Sequence, residues 1–172
     1  MAETESSLGS HFLELVTQEL SRIKVRAERA IAQLADDRRL HVKLDAESNS
    51  IAIIVMHLSG NMLSRWTDFL TADGEKPSRN RDAEFEPPET MTRAELKAAW
   101  ERGWACLFSA LDALTPAELK ATVRIRGEEF TAMEAIVRQF DHYASHIGQI
   151  VFLAKHLEWE RWQSLSIPRR RS

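Results

Sequence analysis

The chain has 172 residues, a formal net charge of −3 and a hydrophobic fraction of 44%. This length fits one domain, 1–172, which can bury a core without a disulfide or a structural metal. The slight negative charge argues against a nucleic-acid partner. The longest apolar run, IAIIVM at 51–56, is too short to span a bilayer, so we expect no membrane partner.

Two features bear on the cellular compartment. The amino-terminal stretch MAETESSLGS is acidic and polar, unlike a secretory signal. Cys106 is the only cysteine and cannot form an internal disulfide, which is typical of a reducing compartment. We therefore expect a cytoplasmic protein. The basic tail PRRRS at 168–172 is expected to be a solvated chain end.

Apolar residues at helical spacing predict a first long helix over 8–35. A polar connection follows it. Ser48 and Ser50 are good N-cap residues, and they open a second helix that is predicted to continue through Leu70. Gly60 lies inside this helix, where glycine costs about 1 kcal/mol relative to alanine.

The segment 71–90 combines an Asp-Gly turn signal with three prolines, which predicts a long loop with irregular backbone over 73–91. Loops of this length in a compact domain are usually functional or disordered. Residues 73–91 contain six acidic and three basic side chains. Two interpretations follow: a solvated loop that neutralises its own charge, or a segment that gates a binding site.

The carboxyl-terminal half repeats one local signal three times. The capping-box sequence TRAE (92–95) opens a third helix that is predicted to reach Leu114, and TPAE (115–118) predicts one extra turn. Alternating residues at 122–130 predict a small hairpin or an extended arm, and TAME then opens a last helix over 131–157. Four helices of about twenty residues or more predict an all-α, antiparallel four-helix bundle with this hairpin or arm before the last helix.

Histidines mark both the second and the last of these helices. On a helical wheel, His142 and His146 flank the apolar stripe of the last helix, and His57 has the equivalent place on the second. If the two helices are neighbours, three imidazoles converge in the interior, where helix bundles build their ligand sites. Inward histidines can also be core residues that form ordinary hydrogen bonds. Spacing alone leaves both interpretations open.

Three long stretches carry a family likeness: NSIAIIVMHLSGNMLSRWTDFLTADGEKPSRNRDAEFE (49–86), IRGEEFTAMEAIVRQFDHYASHIGQIVFLAKHL (125–157) and LSIPRRRS (165–172). They resemble the DinB/YfiT-like superfamily of four-helix metalloenzymes, in a largely uncharacterised bacterial branch. The resemblance implies a divalent metal, nickel or zinc, held by three histidines. His57 matches the first ligand position, and His142 with His146 matches the pair.

The resemblance also bears on activity. Relatives include S-transferases that use low-molecular-weight thiols, so it implies S-transfer with a small-molecule thiol substrate. Metal-dependent hydrolysis is one alternative, and a non-catalytic, metal-stabilised bundle that acts in protein interaction is another. Relatives are often dimers, and a homodimer would use the aromatic surface expected from Trp100, Trp104, Trp159 and Trp162.

Further polar side chains are candidates to orient the imidazoles or to bind substrate. Those on the predicted helices are Asn61, Arg65, Gln139 and Gln149. Arg79 and Arg81 lie in the long loop and could receive the carboxylate of an acidic substrate. The alternative is that all six are ordinary polar residues of helices and a loop.

Overall fold

The computed structural model describes residues 2–167, so the basic tail at 168–172 lies outside the described residues. An antiparallel hairpin of β1 (Thr122–Ile125) and β2 (Glu128–Thr131) directly precedes the last helix. The mostly helical class and the small hairpin are therefore confirmed. The four α-helices are α1 (Ala2–Ile31), α2 (Ile51–Trp66), α3 (Arg93–Asp112) and α4 (Ala132–Leu157).

Local capping starts three of the helices where the sequence predicts. The Ser50 hydroxyl accepts the N–H of Ile53 at 3.3 Å and begins α2. Thr92 and Thr131 form reciprocal capping boxes at the starts of α3 and α4. The extra turn after α3 is a 3-10 helix, Pro116–Lys120. These starts depend on neighbouring residues alone, which is why a sequence motif locates them.

Contacts between helices show the directions in which they run. Ser59 on α2 donates to the carbonyl of Ala99 at 2.6 Å, and Thr67, just past α2, lies 3.5 Å from Cys106 Sγ. The contact residues increase in number together along the two helices, from Ser59 and Ala99 to Thr67 and Cys106, so α2 and α3 are parallel. The helices of the predicted bundle therefore do not simply alternate in direction.

The other two helices form a second parallel pair. The Ala35 N–H, just past α1, donates to Glu158 at the end of α4 at 2.7 Å. At the opposite end, Gly9 of α1 lies against Pro116 and Leu119, shortly before the hairpin. The α1/α4 pair runs opposite to the α2/α3 pair. A chain with this topology needs a long return segment between α2 and α3, and residues 67–92, here called the crossover, supply it.

Both early helices end before the predicted residues. Helix α1 starts earlier than residue 8 and ends at Ile31. At this end the Arg93 guanidinium donates to the carbonyls of Ile31 at 2.8 Å and Leu34 at 3.1 Å. Helix α2 ends at Trp66 rather than Leu70. Asp68 there has φ of 50°, a left-handed conformation that a helix cannot continue.

The crossover is attached to the hairpin. The Asp73 carboxylate accepts the N–H groups of Arg126 at 2.9 Å and Gly127 at 2.8 Å. Both turn residues have positive φ, 55° and 78°, as a two-residue hairpin turn requires. Gly74 N–H donates to the Arg124 carbonyl at 2.7 Å. The Glu75 N–H and these turn amides hold the pKa of Asp73 below its usual value.

Two expectations were wrong in part. The backbone of residues 73–91 is not irregular throughout, because Asp82–Phe85 forms a 3-10 turn. The segment neutralises some of its own charge through the Arg79–Glu84 pair, but Glu84 is buried rather than solvated. Trp100 and Trp104 are core residues, 3% and 0% exposed, and cannot supply a docking surface. Among the described residues, no helix has the length and apolar content needed to cross a membrane.

A chain of buried polar groups joins α2 to α4. The Trp66 indole N–H donates to the Tyr143 hydroxyl at 2.9 Å, and that hydroxyl donates to Asn61 Oδ1 at 3.0 Å. Tyr143 is 0% exposed, so no solvent can replace these bonds. The chain therefore sets the relative position of the two helices that carry the histidines.

We expect Tyr143→Phe to lower the free energy of unfolding by about 1–3 kcal/mol, because it leaves the Trp66 donor and the Asn61 acceptor buried and unpaired. Urea unfolding monitored by circular dichroism measures the loss. Ser10→Ala removes a hydroxyl from an exposed hydrogen bond and should change stability by no more than about 0.5 kcal/mol. Equal stability of the two variants would contradict a structural role for the buried chain.

Candidate metal centre

Helices α2 and α4 bring three histidines to one place. The ring centroids of His142 and His146 are 4.7 Å apart, and those of His57 lie 5.3 Å and 5.1 Å from them. One nitrogen from each ring lies within 4.8 Å of the other two. His57 is buried, and the α4 pair is half-buried. The predicted convergence of the three side chains is confirmed.

The hydrogen bonds of the rings indicate which nitrogens remain available. His57 Nδ1 is 3.0 Å from Glu84 Oε2, and His146 Nδ1 is 3.0 Å from Gln149 Oε1. With an oxygen acceptor at Nδ1, each of these rings carries its proton there and keeps a lone pair on Nε2. His142 Nε2 is buried and has no partner among the described residues. All three rings can therefore present Nε2.

The surroundings favour the neutral form of the α4 imidazoles. Burial, together with the neighbouring His146 and His57, lowers the pKa of His142 to about 3. Burial also lowers the pKa of His146, and the bond to Gln149 only partly opposes it. Neutral imidazole is the form that binds metal ions. The orphaned Nε2 and the all-nitrogen donor set thus fit a divalent ion such as zinc or nickel.

Glu84 is part of this site and was missed by the sequence analysis. Its carboxylate accepts two bonds from Arg79, at 2.7 Å each, as well as the bond from His57. Burial by itself would raise the pKa of Glu84, but the bonds from Arg79 and His57 outweigh it and hold the pKa below its ordinary value. The residue lies on the crossover, where no helical period could place it beside a histidine of α2.

Gly60 is the counterpart of Glu84 on α2. A Cβ at this position would lie 2.6 Å from Glu84 Cδ, closer than any real contact. The glycine therefore leaves the space that the carboxylate occupies. This accounts for a residue that otherwise weakens the middle of a helix.

Three of the six polar candidates lie around the histidines. Gln149 contacts His146 directly, and Arg79 reaches His57 through Glu84. The guanidinium of Arg81 lies over Phe85, 4.9 Å from the ring centroid, and Phe85 is in turn 5.0 Å from the His57 ring.

The other three candidates have different contacts. Asn61 accepts from Tyr143, next to His142 in the chain, and so belongs to the bond chain between α2 and α4. Arg65 donates to the Gly74 carbonyl and to Glu75 at 3.1 Å, which attaches it to the crossover. Gln139 is buried, and its Oε1 has no partner among the described residues.

A cleft of about 520 Å³ lies between residues 44–54 and α4, and none of the three histidines lines it. Gln149, the partner of His146, forms part of its wall, as do Ile54 and Leu153. Leu58, on the same helix as Ile54, is fully buried and does not line the cleft. The polar lining comes from Glu47, Ser48, Asn49 and Ser145.

A family model described as a protein of unknown function, DUF1572, matches residues 7–171. The chain belongs to this family. The matched range includes α2, the crossover and α4, and hence the three histidines and Glu84. No curated protein and no solved structure matches the chain. The DUF1572 family carries no described activity, so the geometry of the site has to support any proposal.

We expect Arg79→Ala to lower the free energy of unfolding by about 3–5 kcal/mol, since it strips the buried Glu84 carboxylate of its guanidinium partner. The Arg79 side chain is only 4% exposed. Arg81→Ala is the matched control: this exposed neighbour loses one ring contact and should change stability by about 1 kcal/mol or less. Equal losses in chemical denaturation would show that the Arg79 pair contributes nothing special.

Proposed function

We propose that the protein is a metal-dependent enzyme whose divalent ion, nickel or zinc, is held by His57, His142 and His146. One observation carries the proposal: three imidazoles from two helices converge, and within the described part of the chain no hydrogen bond engages their Nε2 atoms. Three protein ligands are typical of catalytic rather than structural zinc. When bound, the ion would supply Lewis acidity beside a position open to an outside molecule.

A catalytic role is favoured over a purely structural one by two features of the chain. The core is large and continuous across all four helices, so folding does not depend on a metal. The α4 histidines are half-buried rather than enclosed, and Gln149, the partner of His146, lines a cleft that could admit a small molecule. A structural ion would instead be enclosed by a fourth protein ligand.

The resemblance to DinB/YfiT-like metalloenzymes supports S-transfer from a low-molecular-weight thiol as the reaction. In this proposal Ile54 and Leu153 hold the apolar part of the electrophile in the cleft. Gln149 keeps the His146 ring in place, and Ser145 offers a hydrogen bond to the substrate. The residues thus bring the electrophile close to the metal centre, and proximity supplies much of the rate.

Hydrolysis is the second candidate, and the charge of the cleft favours it. Among the described residues, its wall contains Glu47 but no lysine or arginine. Arg79, which could have received a carboxylate, is committed to Glu84. A neutral ester or amide suits such a wall better than an anionic thiol, because an unpaired carboxylate next to Glu47 is repelled.

The metal content of purified protein tests the ligand set. We expect close to one nickel or zinc ion per chain, and a loss of affinity of at least about tenfold in His57→Ala, His142→Ala or His146→Ala, since two ligands remain. His156→Ala removes an exposed histidine from the same helix and should retain the metal. Unchanged metal content in a folded His146→Ala would rule out the three-histidine site.

Cobalt substitution tests the reaction class. We expect a sulfur-to-cobalt charge-transfer band on addition of glutathione, bacillithiol, mycothiol or cysteine to the Co²⁺ protein, because soft sulfur competes well for such a centre. If no thiol gives a band but esters or amides are hydrolysed in a metal-dependent way, the enzyme is a hydrolase. If neither signal is observed, the non-catalytic bundle is the correct account.

A further inference from the structure

We infer that Glu84 is a positioning residue for the metal centre: its carboxylate holds His57 in the tautomer that presents Nε2 to the ion. The inference rests on the proposed function and extends it to a residue outside the ligand set.

The direction of the bond follows from the partners of Glu84. Both of its oxygens receive N–H groups from Arg79 at 2.7 Å, so they act as acceptors. The His57 Nδ1, 3.0 Å from Oε2, must then be the donor. A proton on Nδ1 leaves the lone pair on Nε2, in a ring whose centroid lies 5.1 Å and 5.3 Å from those of the two α4 histidines. Carboxylate partners of this kind raise the basicity of a ligating imidazole.

The space for the carboxylate is provided at Gly60. Any side chain there would overlap Glu84, whose Cδ would be 2.6 Å from a Cβ. Glu84 and His57 are both buried, 6% exposed each, so the carboxylate cannot move into solvent and keep its bond. The close approach of a crossover residue to the backbone of α2 is thus part of the site.

The position of Glu84 is secured from the crossover side. Arg79 also contacts Glu75 at 3.3 Å, and Glu75 binds Arg65 at 3.1 Å and Arg126 at 3.0 Å. This network extends from the site to the hairpin turn. Phe85 covers another side of the His57 ring at 5.0 Å between centroids.

The three histidines are therefore held unequally. His146 has a neutral amide partner in Gln149, and His142 Nε2 has no partner among the described residues. Of the three rings in the described structure, His57 is the one bonded to a carboxylate. Its orientation is the one fixed by a charged partner before any ion binds.

Two variants and one control test the inference. Glu84→Gln keeps the shape of the side chain but lets an amide N–H face the ring, and Gly60→Ala displaces the carboxylate while every charged group is retained. Glu75→Gln disturbs the same ion-pair network one step farther from His57. Thermal unfolding of all three identifies any variant that fails to fold, and Gly60→Ala replaces Glu84→Gln if the latter does.

The first measurement is the tautomer of His57 in the metal-free protein, read from the ¹⁵N shifts of the ring nitrogens. We expect the Nδ1–H form in the wild type and in Glu75→Gln, and a mixture of tautomers in Glu84→Gln and Gly60→Ala. The second is zinc affinity by chelator competition, which should fall about 10–100-fold in both site variants and stay near the wild-type value in the control.

Unchanged tautomer and affinity in folded Glu84→Gln or Gly60→Ala would overturn the positioning role. An equal fall in Glu75→Gln would also overturn it, because the effect would then belong to the whole network. If the wild type binds neither zinc nor nickel, the proposed function fails, and the tautomer measurement still decides whether Glu84 orients His57. The two failures are thereby distinguished.

Discussion

A buried carboxylate imposes the strongest constraint on this structure. An ionised side chain in a protein interior is destabilising by several kcal/mol unless charged or hydrogen-bonding partners surround it. Glu84 has such partners in Arg79 and His57, and it can reach them only across the gap left at Gly60. Three features serve to neutralise this one carboxylate: the path of the crossover, the burial of Arg79 and the orientation of one imidazole.

The second requirement is a fixed alignment of α2 and α4. Tyr143 follows His142 directly in the chain, and its hydroxyl is bonded to Trp66 and Asn61 on α2. A shift of one helix along the other would break both bonds and also separate His57 from the α4 histidines. The same buried polar chain that makes the packing specific therefore also determines whether three imidazoles can meet.

Features encoded by neighbouring residues could be predicted from the sequence, and features that depend on distant contacts could not. Caps such as Thr131, the hairpin and the inward faces of the histidines follow from local spacing, and all appear in the structure. The end of α2 depends on a positive φ at Asp68. Glycine is the residue that usually marks this conformation in a sequence, and position 68 is an aspartate. Glu84 required the three-dimensional path of the crossover, and the parallel course of α2 and α3 required contacts between helices.

The three histidines come from helices that are far apart in the chain, with the crossover, α3 and the hairpin between them. A metal ion held by all three would therefore recognise only the native arrangement, since an unfolded chain retains just the closely spaced α4 pair. Binding of that kind adds to the free energy of unfolding in proportion to the logarithm of free ion concentration. The melting temperature of the protein would then rise with the concentration of free metal ion. Local unfolding of the chain termini would not release the ion, because the three histidines lie on α2 and α4.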